Sequence, residues 1–266
     1  MWGPKLPCTP GKTLRSSPTT LRRHLIFPAA ASVLLSTCDF RTVPPEWRES
    51  FGAGVLQPGR WAVTRDGDFR EHIVDVANVG KDGPEDFRLR VLADTRGTRD
   101  DTVKFLGARM LEPIRLSEPK RIAVDLDWND QENGSYLSAA IVLSPHETSG
   151  NPLASADWLK VEYVGVPPGK NARMVVAFTA NGRSRMPYAE EWPNTNREGR
   201  QIALQHVEMV ARGGSFQVWE NGKLLYDAND KALPFDNAYL YLQMSSHSNY
   251  PKREIYFDNV VITAAN

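Results

Sequence analysis

Residues 121–144, RIAVDLDWNDQENGSYLSAAIVLS, carry the two clearest strand patterns in the chain. Apolar and polar residues alternate through residues 122–129, and a second alternation runs through residues 136–143. Because side chains two residues apart share one face of a strand, each pattern predicts a strand with one face in a core. Residues 131–134, QENG, are turn formers. The stretch therefore predicts an antiparallel hairpin with one buried and one polar face.

Short alternating segments of the same kind recur along the rest of the chain. They predict strands at 68–76, 87–93, 102–110, 158–164, 173–180, 201–210, 237–245 and 254–262. Segments 216–219 and 223–226 flank Asn221-Gly222, the strongest short hairpin signal in the sequence. Roughly a dozen short strands without a helical period predict an all-β fold, a two-sheet antiparallel jelly-roll sandwich. The polar stretch 181–200 predicts a long loop of the kind that often carries function.

The first 38 residues predict an export signal. Five basic and no acidic residues occur in this segment, and an apolar stretch at residues 25–35 precedes Cys38. Leu35-Ser36-Thr37-Cys38 resembles a bacterial lipobox, which implies lipidation of Cys38, while Arg22-Arg23 leave a twin-arginine signal open. Residues 39–60 predict a Pro- and Gly-rich linker or lead-in, and residues 61–266 the domain. We expect an exported protein, anchored in the cell envelope or secreted, that meets the membrane only through this anchor or signal.

Charge and cysteine content exclude two classes of protein. The formal net charge is zero, and beyond residue 38 the chain has 27 basic against 32 acidic residues. Nucleic-acid-binding proteins present a basic stripe to phosphates, so we expect no nucleic-acid partner. Both cysteines, Cys8 and Cys38, lie in the predicted signal, so the domain contains no disulfide framework.

The end of the chain resembles a known group of folds. IYFDNVVI at residues 255–262 is similar to the last strand of concanavalin A-like lectins and glucanases, and so is the ENG turn at residues 220–222. The resemblance covers about residues 60–264 in strand order. It implies two curved sheets and a concave face that commonly meets carbohydrate.

Three carboxylates lie close together in and just after the predicted strand 122–129. Asp125, Asp127 and Asp130 have the spacing i, i+2, i+5, similar to the Glu-x-Asp-x-(x)-Glu strand of family 16 glycoside hydrolases with Asp in place of both Glu. Retaining glycosidases use two carboxylates about 5 Å apart as nucleophile and acid/base. A glycoside hydrolase or polysaccharide lyase would use this group with His247 or Tyr136. The alternative is a solvated strand face whose carboxylates bind Arg, Lys or Tyr.

Aromatic and amide side chains alternate along the predicted strand 237–245. Tyr239, Tyr241 and Gln243 share one face, where rings can stack on sugars and the amide can bind hydroxyls. We therefore predict a carbohydrate-binding, lectin-like domain that recognises a polysaccharide or glycan on its concave face. Further candidate contacts on that face or its rim are Asp125, Asp127, Tyr136, Trp192 and His247. A packing role for the tyrosines, within an envelope structural or interaction module, is the alternative.

Metal binding is a separate possibility. Asp66 and Asp68 flank a glycine and offer the hard oxygen ligands that calcium prefers. The resemblance implies that Asp258 supplies a ligand to a structural calcium. Turn and capping roles explain the same residues. His206 and Glu208 share a strand face and are candidates for a metal or substrate contact.

Overall fold

The structure, a computed structural model, describes residues 46–99, 102–128, 137–165, 171–193, 204–228 and 232–265. These ranges contain the strands β1 (Trp47–Glu49), β2 (Trp61–Asp66), β3 (Glu71–Asn78), β4 (Phe87–Asp94), β5 (Lys104–Met110), β6 (Ile114–Arg115), β7 (Lys120–Asp127), β8 (Leu137–Ser144), β9 (Trp158–Val164), β10 (Asn171–Ala180), β11 (Arg183–Pro193), β12 (Gln205–Arg212), β13 (Ser215–Glu220), β14 (Lys223–Ala228), β15 (Asn237–Ser246) and β16 (Arg253–Ala264). A short 3₁₀ turn spans Pro152–Ala154. In the described part of the chain, no helix is long and apolar enough to cross a membrane.

The strands form two antiparallel sheets. Sheet A has the order β14-β13-β12-β7-β16-β4-β3, with β1 beside β16. Sheet B has the order β11-β10-β9-β8-β15-β5-β2, with β6 beside β15. The predicted two-sheet jelly-roll sandwich is confirmed.

One core lies between the two sheets. Leu126 of β7 and Phe257 of β16 come from sheet A, Leu242 of β15 comes from sheet B, and all three are fully buried in the same cluster. Alternation along each strand places every second side chain in this core and the others on an outer face. Candidate functional side chains therefore lie on one of two outer faces.

The predicted hairpin of residues 121–144 is wrong. β7 pairs with β12 and β16 in sheet A, whereas β8 pairs with β9 and β15 in sheet B. Alternation decides which side of a strand is buried but does not select its neighbour. The two strands bury their apolar sides in the same core from opposite sheets. The predicted turn lies outside the described residues.

The second predicted hairpin is confirmed. β13 and β14 pair across Asn221 and Gly222, whose φ angles are 49° and 80°. Two successive positive φ angles define the tight turn that matches the twist of paired strands, and Asn-Gly adopts it at low cost.

Two other segments differ from the sequence-based expectation. Residues 183–193 of the predicted loop 181–200 form β11, which pairs with β10, and residues 194–200 lie outside the described residues. In the predicted lead-in 39–60, β1 pairs with β16, and Phe51 is buried in the core. The sandwich therefore includes residues before 61. The predicted signal and Cys38 lie outside the described residues and stay predictions.

Candidate functional site

The residues predicted to share one concave face lie on opposite sides of the sandwich. Asp125 and Asp127 project from the outer face of β7 in sheet A. Tyr239, Tyr241 and Gln243 belong to the outer face of β15 in sheet B. The prediction of a common site is therefore wrong, and its cause is the mistaken pairing of β7 with β8.

Asp127 belongs to a buried ion-pair network on sheet A. Its Oδ2 lies 2.7 Å from Nζ of Lys81 and 3.4 Å from Nη1 of Arg88. Arg88 is 1% exposed and also binds Asp86 through two hydrogen bonds of 2.7 and 2.9 Å. Asp127 itself is 2% exposed. Its charge is compensated by two cations, as expected for a structural carboxylate.

Asp125 is held by two partners on neighbouring strands. Its Oδ1 lies 2.6 Å from Nδ1 of His206, and its Oδ2 accepts a hydrogen bond of 2.8 Å from Nδ2 of Asn259. Nε2 of His206 lies 3.4 Å from Oε1 of Glu208. His206 and Glu208 thus share a face, as predicted, and His206 is the histidine that pairs with Asp125. His247 follows β15 instead, where its carbonyl accepts a hydrogen bond of 2.6 Å from Thr95.

Asp258 is the register partner of Asp125 on β16. Burial raises the pKa of Asp258 to about 6; the backbone N–H of Asn259 and the charge of Arg88 lower it, while Asp125 and Asp86 raise it. β16 bulges directly after this residue, where Asn259 has a φ of 46°. A cavity of about 500 Å³ beside the bulge is lined by Asp258, Asn259, Ser50, Gly52 and residues 82–87.

The predicted calcium ligands do not converge. Asp66 ends β2 in sheet B, whereas Asp258 lies on β16 in sheet A. Asp68 lies 3.3 Å from Nζ of Lys104, and the backbone N–H of Arg99 holds the pKa of Asp68 below its usual range. Among the described residues, no group of three His, Cys, Asp or Glu side chains is arranged to hold a metal. The three aspartates therefore do not fit one calcium site.

On the outer face of sheet B, one residue from each of seven neighbouring strands pairs with one on the next strand, and together they form a row across the sheet. This central row consists of Thr64, Gly107, Gln243, Ala140, Glu162, Val175 and Ala189. Neighbouring strands are about 4.8 Å apart, so the row is about 29 Å long. Three of its members are Gly or Ala, whereas the adjoining rows contain larger side chains such as Phe105, Tyr241 and Lys160. We call the central row, together with the side chains on either side of it, the trough.

The trough contains satisfied and unsatisfied polar groups. Glu162 accepts a hydrogen bond of 2.6 Å from Ser138 and lies 2.5 Å from Nζ of Lys160. Oγ1 of Thr64 and Nε2 of Gln243 are buried and have no hydrogen-bond partner. The side chains are 0% and 2% exposed. Buried polar groups are nearly always hydrogen-bonded, so these two atoms are exceptions to a general rule.

Tyr241 is not an exposed sugar platform. It is fully buried, and its hydroxyl accepts a hydrogen bond of 3.0 Å from the N–H of Thr148 while donating to the carbonyl of His146. Tyr239 is partly exposed and donates a hydrogen bond of 3.1 Å to Glu147. Both tyrosines thus fasten residues 145–151, which we call the strap, to sheet B. Of the three residues predicted on this face, Gln243 has a buried polar atom, Nε2, without a hydrogen-bond partner.

The remaining predicted residues take other positions. Trp192 packs edge-on against Trp128 of the core, with ring centroids 6.1 Å apart, so it does not stand at a binding rim. Asp130 and Tyr136 lie outside the described residues. Sequence reasoning missed Lys160 and Glu162, although the alternation within residues 158–164 contained the signal: every second side chain there points away from the core.

No protein-family model matches this sequence, and no curated protein matches it. Solved structures do match the fold. The catalytic domain of an endo-1,3-beta-glucanase (laminarinase) from Thermotoga petrophila RKU-1 has a TM-score of 0.56 at 13% identity, covering 83% of this chain and 97% of that chain. The beta-glucanase of Bacillus licheniformis has a TM-score of 0.54 at 10% identity, covering 83% and 98%.

A third similar structure contains bound sugars. LamA from Zobellia galactanivorans, in complex with laminaritriose and laminaritetraose, has a TM-score of 0.53 at 12% identity and covers 84% of this chain and 100% of that chain. This protein therefore has the concanavalin A-like jelly-roll fold that the end of its sequence resembles. At these identities the likeness concerns the fold.

Proposed function

We propose that this protein binds a polysaccharide or glycan in the trough of sheet B. The observation that carries the proposal is the pair of buried, unpartnered groups, Oγ1 of Thr64 and Nε2 of Gln243, in the floor of the trough. An unsatisfied buried polar group costs about 1–3 kcal/mol. Sugar hydroxyls both donate and accept hydrogen bonds, so one ligand can satisfy both groups.

Side chains next to these groups supply the other contacts that sugars need. The partly exposed ring of Trp158 lies beside Lys160, whose Nζ is 5.8 Å from the ring centroid. Ser138 and Ser245 are hydrogen-bonded to each other beside Glu162. An aromatic face next to several hydroxyl and charged groups suits a ring with one apolar and one polar surface.

The composition of the trough favours binding over hydrolysis. The outer-face neighbours of Glu162 along β9 are Lys160 and Val164, and those across on β8 and β10 are Ser138, Ala140, Val175 and Ala177. None of these side chains is a carboxylate, whereas glycosidases of the common type need two. Glu162 paired with Lys160 is therefore better suited to accept sugar hydroxyls than to act as a nucleophile or acid.

One observation favours a hydrolase on the opposite face. Asp125 and Asp258 are register partners, a position that places Cβ atoms about 4.5–5.5 Å apart. The raised pKa of Asp258, about 6, suits a general acid. Against this, Asp125 is already held by His206 and Asn259. Hydrolysis at this face is therefore the second candidate function.

A binding titration with matched variants tests the proposal. Since similar folds belong to β-glucanases, the first probes are β-1,3-glucan, mixed-linkage β-1,3-1,4-glucan, laminaritriose and laminaritetraose. We expect Gln243→Ala and Glu162→Gln each to weaken binding about tenfold, which corresponds to about 1.4 kcal/mol. Glu208→Gln, on the opposite face, is the matched control and leaves binding unchanged.

Two results would count against binding in the trough. If neither Gln243→Ala nor Glu162→Gln alters the affinity for a bound glycan, the trough is not the site. Release of oligosaccharides that is lost in Asp258→Asn but retained in Glu162→Gln supports the hydrolase on sheet A instead.

A further inference from the structure

The strap closes one end of the trough. Its Thr148 N–H binds the hydroxyl of Tyr241 on β15, and its Ser149 carbonyl accepts a hydrogen bond of 2.6 Å from the N–H of Arg65 on the edge strand β2. Gly150 lies against Asp66, where an added Cβ would be 3.7 Å from the Asp66 Cβ. The strap therefore runs from the end of β8 across the outer face to the edge of the sheet.

Burial along β2 shows what the strap covers. Thr64, on the outer face, is fully buried, whereas Val63, on the inner side of the same edge strand, is 49% exposed. An edge strand without a cover would expose its outer side chains most. At the other end of the central row, Ala189 on β11 is exposed. The trough is thus closed over β2 and open toward β11.

Ionic and aromatic contacts hold the strap in place. Glu147 lies 2.8 Å from Nη2 of Arg109 and accepts the hydrogen bond from Tyr239. The guanidinium carbon of Arg109 lies 5.0 Å from the centroid of the Tyr239 ring. Arg109 is 6% exposed, whereas the side chain of Glu147 is 57% exposed, so the ion pair is shielded from salt on one side only.

The unpartnered polar atoms gather at the closed end. Oγ1 of Thr64, Nε2 of Gln243 and Nε of Arg109 are buried and lack a hydrogen-bond partner. Gly107 on β5 pairs with Thr64 on one side and with Gln243 on the other. Because Gly107 has no side chain, none lies between Thr64 and Gln243. Toward the open end, in contrast, Glu162 is already bound by Lys160 and Ser138. The unpartnered polar atoms of the trough therefore lie at its closed end, where a glycan chain would have to stop.

We infer that the trough takes the terminal sugar of a glycan chain and not a stretch of its interior. This inference rests on the proposed glycan binding. The strap leaves no path for a chain to continue past Thr64 and Asp66. A terminal sugar has a free hydroxyl where an internal sugar has a glycosidic oxygen. Nε2 of Gln243 can donate to either oxygen, so closure of the trough by the strap, and not a difference in hydrogen bonding, selects the terminal sugar.

Counting binding sites on one polymer tests this inference. The full-length protein is titrated calorimetrically against β-1,3-glucan before and after partial acid cleavage, at equal polymer mass. End recognition predicts that the number of sites per gram rises in proportion to the number of chain ends, doubling when the average chain is halved, with an unchanged Kd. A number of sites per gram that does not change with cleavage overturns end recognition and leaves glycan binding standing. Absence of binding to both preparations overturns glycan binding, and end recognition with it.

A strap variant adds an independent readout. Tyr241→Phe removes the hydroxyl that holds Thr148 and His146, and Glu147→Gln in the same protein removes the ion pair with Arg109. We expect this double variant to bind more sites per gram of uncleaved polymer. The ratio of sites per gram on cleaved polymer to sites per gram on uncleaved polymer then falls toward one. Tyr226→Phe on β14 is the control and keeps the ratio of the parent protein. A double variant that unfolds cooperatively and keeps the parent ratio contradicts closure by the strap.

Discussion

Substitutions in the ion-pair network around Arg88 distinguish a structural carboxylate from a catalytic one. In Asp86→Asn, the guanidinium of Arg88, which is 1% exposed, loses a bidentate partner that is itself only 5% exposed. Removing one partner of a buried pair costs about 3–5 kcal/mol, and we expect the lower end of this range because Asp82, 2.6 Å from Nη2, and Asp127 still compensate the charge of Arg88. In Asp127→Asn, Arg88 loses only a contact of 3.4 Å, and Lys81, which is 43% exposed, returns to water. We therefore expect a cost of about 1–2 kcal/mol for Asp127→Asn.

Urea unfolding at pH 7 measures both differences. Asp75→Asn is the control, because its partner Arg90 is partly exposed and Asp75 is 43% exposed, a setting in which ion pairs contribute about 0–1 kcal/mol. The expected order of destabilisation is Asp86→Asn, then Asp127→Asn, then Asp75→Asn. A loss of less than about 1 kcal/mol in Asp86→Asn, or a stability gain in Asp127→Asn, would refute the assignment of both as structural carboxylates.

The same network predicts a pH dependence. Burial raises the pKa of Asp86, but hydrogen bonds from Arg88 and from the backbone N–H of Asp82 outweigh this effect and hold the pKa below its usual 3.8. A carboxyl whose pKa is lowered on folding stabilises the protein above its unfolded pKa, and the contribution is lost as pH falls through the folded pKa. The free energy of unfolding should therefore decrease below about pH 4, and less steeply in Asp86→Asn.

Three further predictions concern other parts of the molecule. Gly107→Ala should lower the melting temperature markedly, because its Cβ would lie 2.1 Å from the Leu242 carbonyl oxygen and would separate β5 from β15; an unchanged melting curve contradicts this. The pKa of Asp258 is raised to about 6, so its ionisation destabilises the fold as pH rises from 4 to 7. Asp258→Asn should accordingly be more stable than the parent at pH 7, by up to about 3 kcal/mol, with the gain vanishing in urea unfolding at pH 4. If Cys38 is lipidated, Cys38→Ser should move the full-length protein from the membrane fraction to the soluble fraction of a bacterial host, and an unchanged distribution would refute it.

Local sequence patterns predicted where the strands lie better than they predicted which strands pair with each other. Asn221-Gly222 specified the β13–β14 hairpin because turn geometry and strand pairing are decided by the same few residues. The stretch 121–144 gave correct strands and correct buried faces, but the pairing of β7 with β16 joins residues more than a hundred positions apart. No local pattern specifies such a contact. The fold class was therefore predictable, whereas the distribution of side chains between the two outer faces was not.

The candidate site depended on that distribution. Gln243 was identified from alternation within β15, but Thr64 and Glu162 enter the same row only through four strand pairings. Tyr241 was misassigned for a related reason: its burial results from the strap, which leaves β8 and returns over the sheet. A tyrosine that faces away from the core is exposed only if nothing else covers it.

Charge compensation distinguishes the two outer faces. On sheet A, Asp127 is bound by cations, and Asp125 by a histidine and an amide, so a ligand would have to break existing contacts. On sheet B, Oγ1 of Thr64 and Nε2 of Gln243 are buried without partners, so a ligand that reaches them breaks no hydrogen bond made by these two atoms. Because the desolvation of these two groups has already occurred on folding, each new bond there contributes more net free energy than one made at an exposed site. Sheet B is for this reason the face on which binding of an uncharged, hydroxyl-rich ligand is physically favoured.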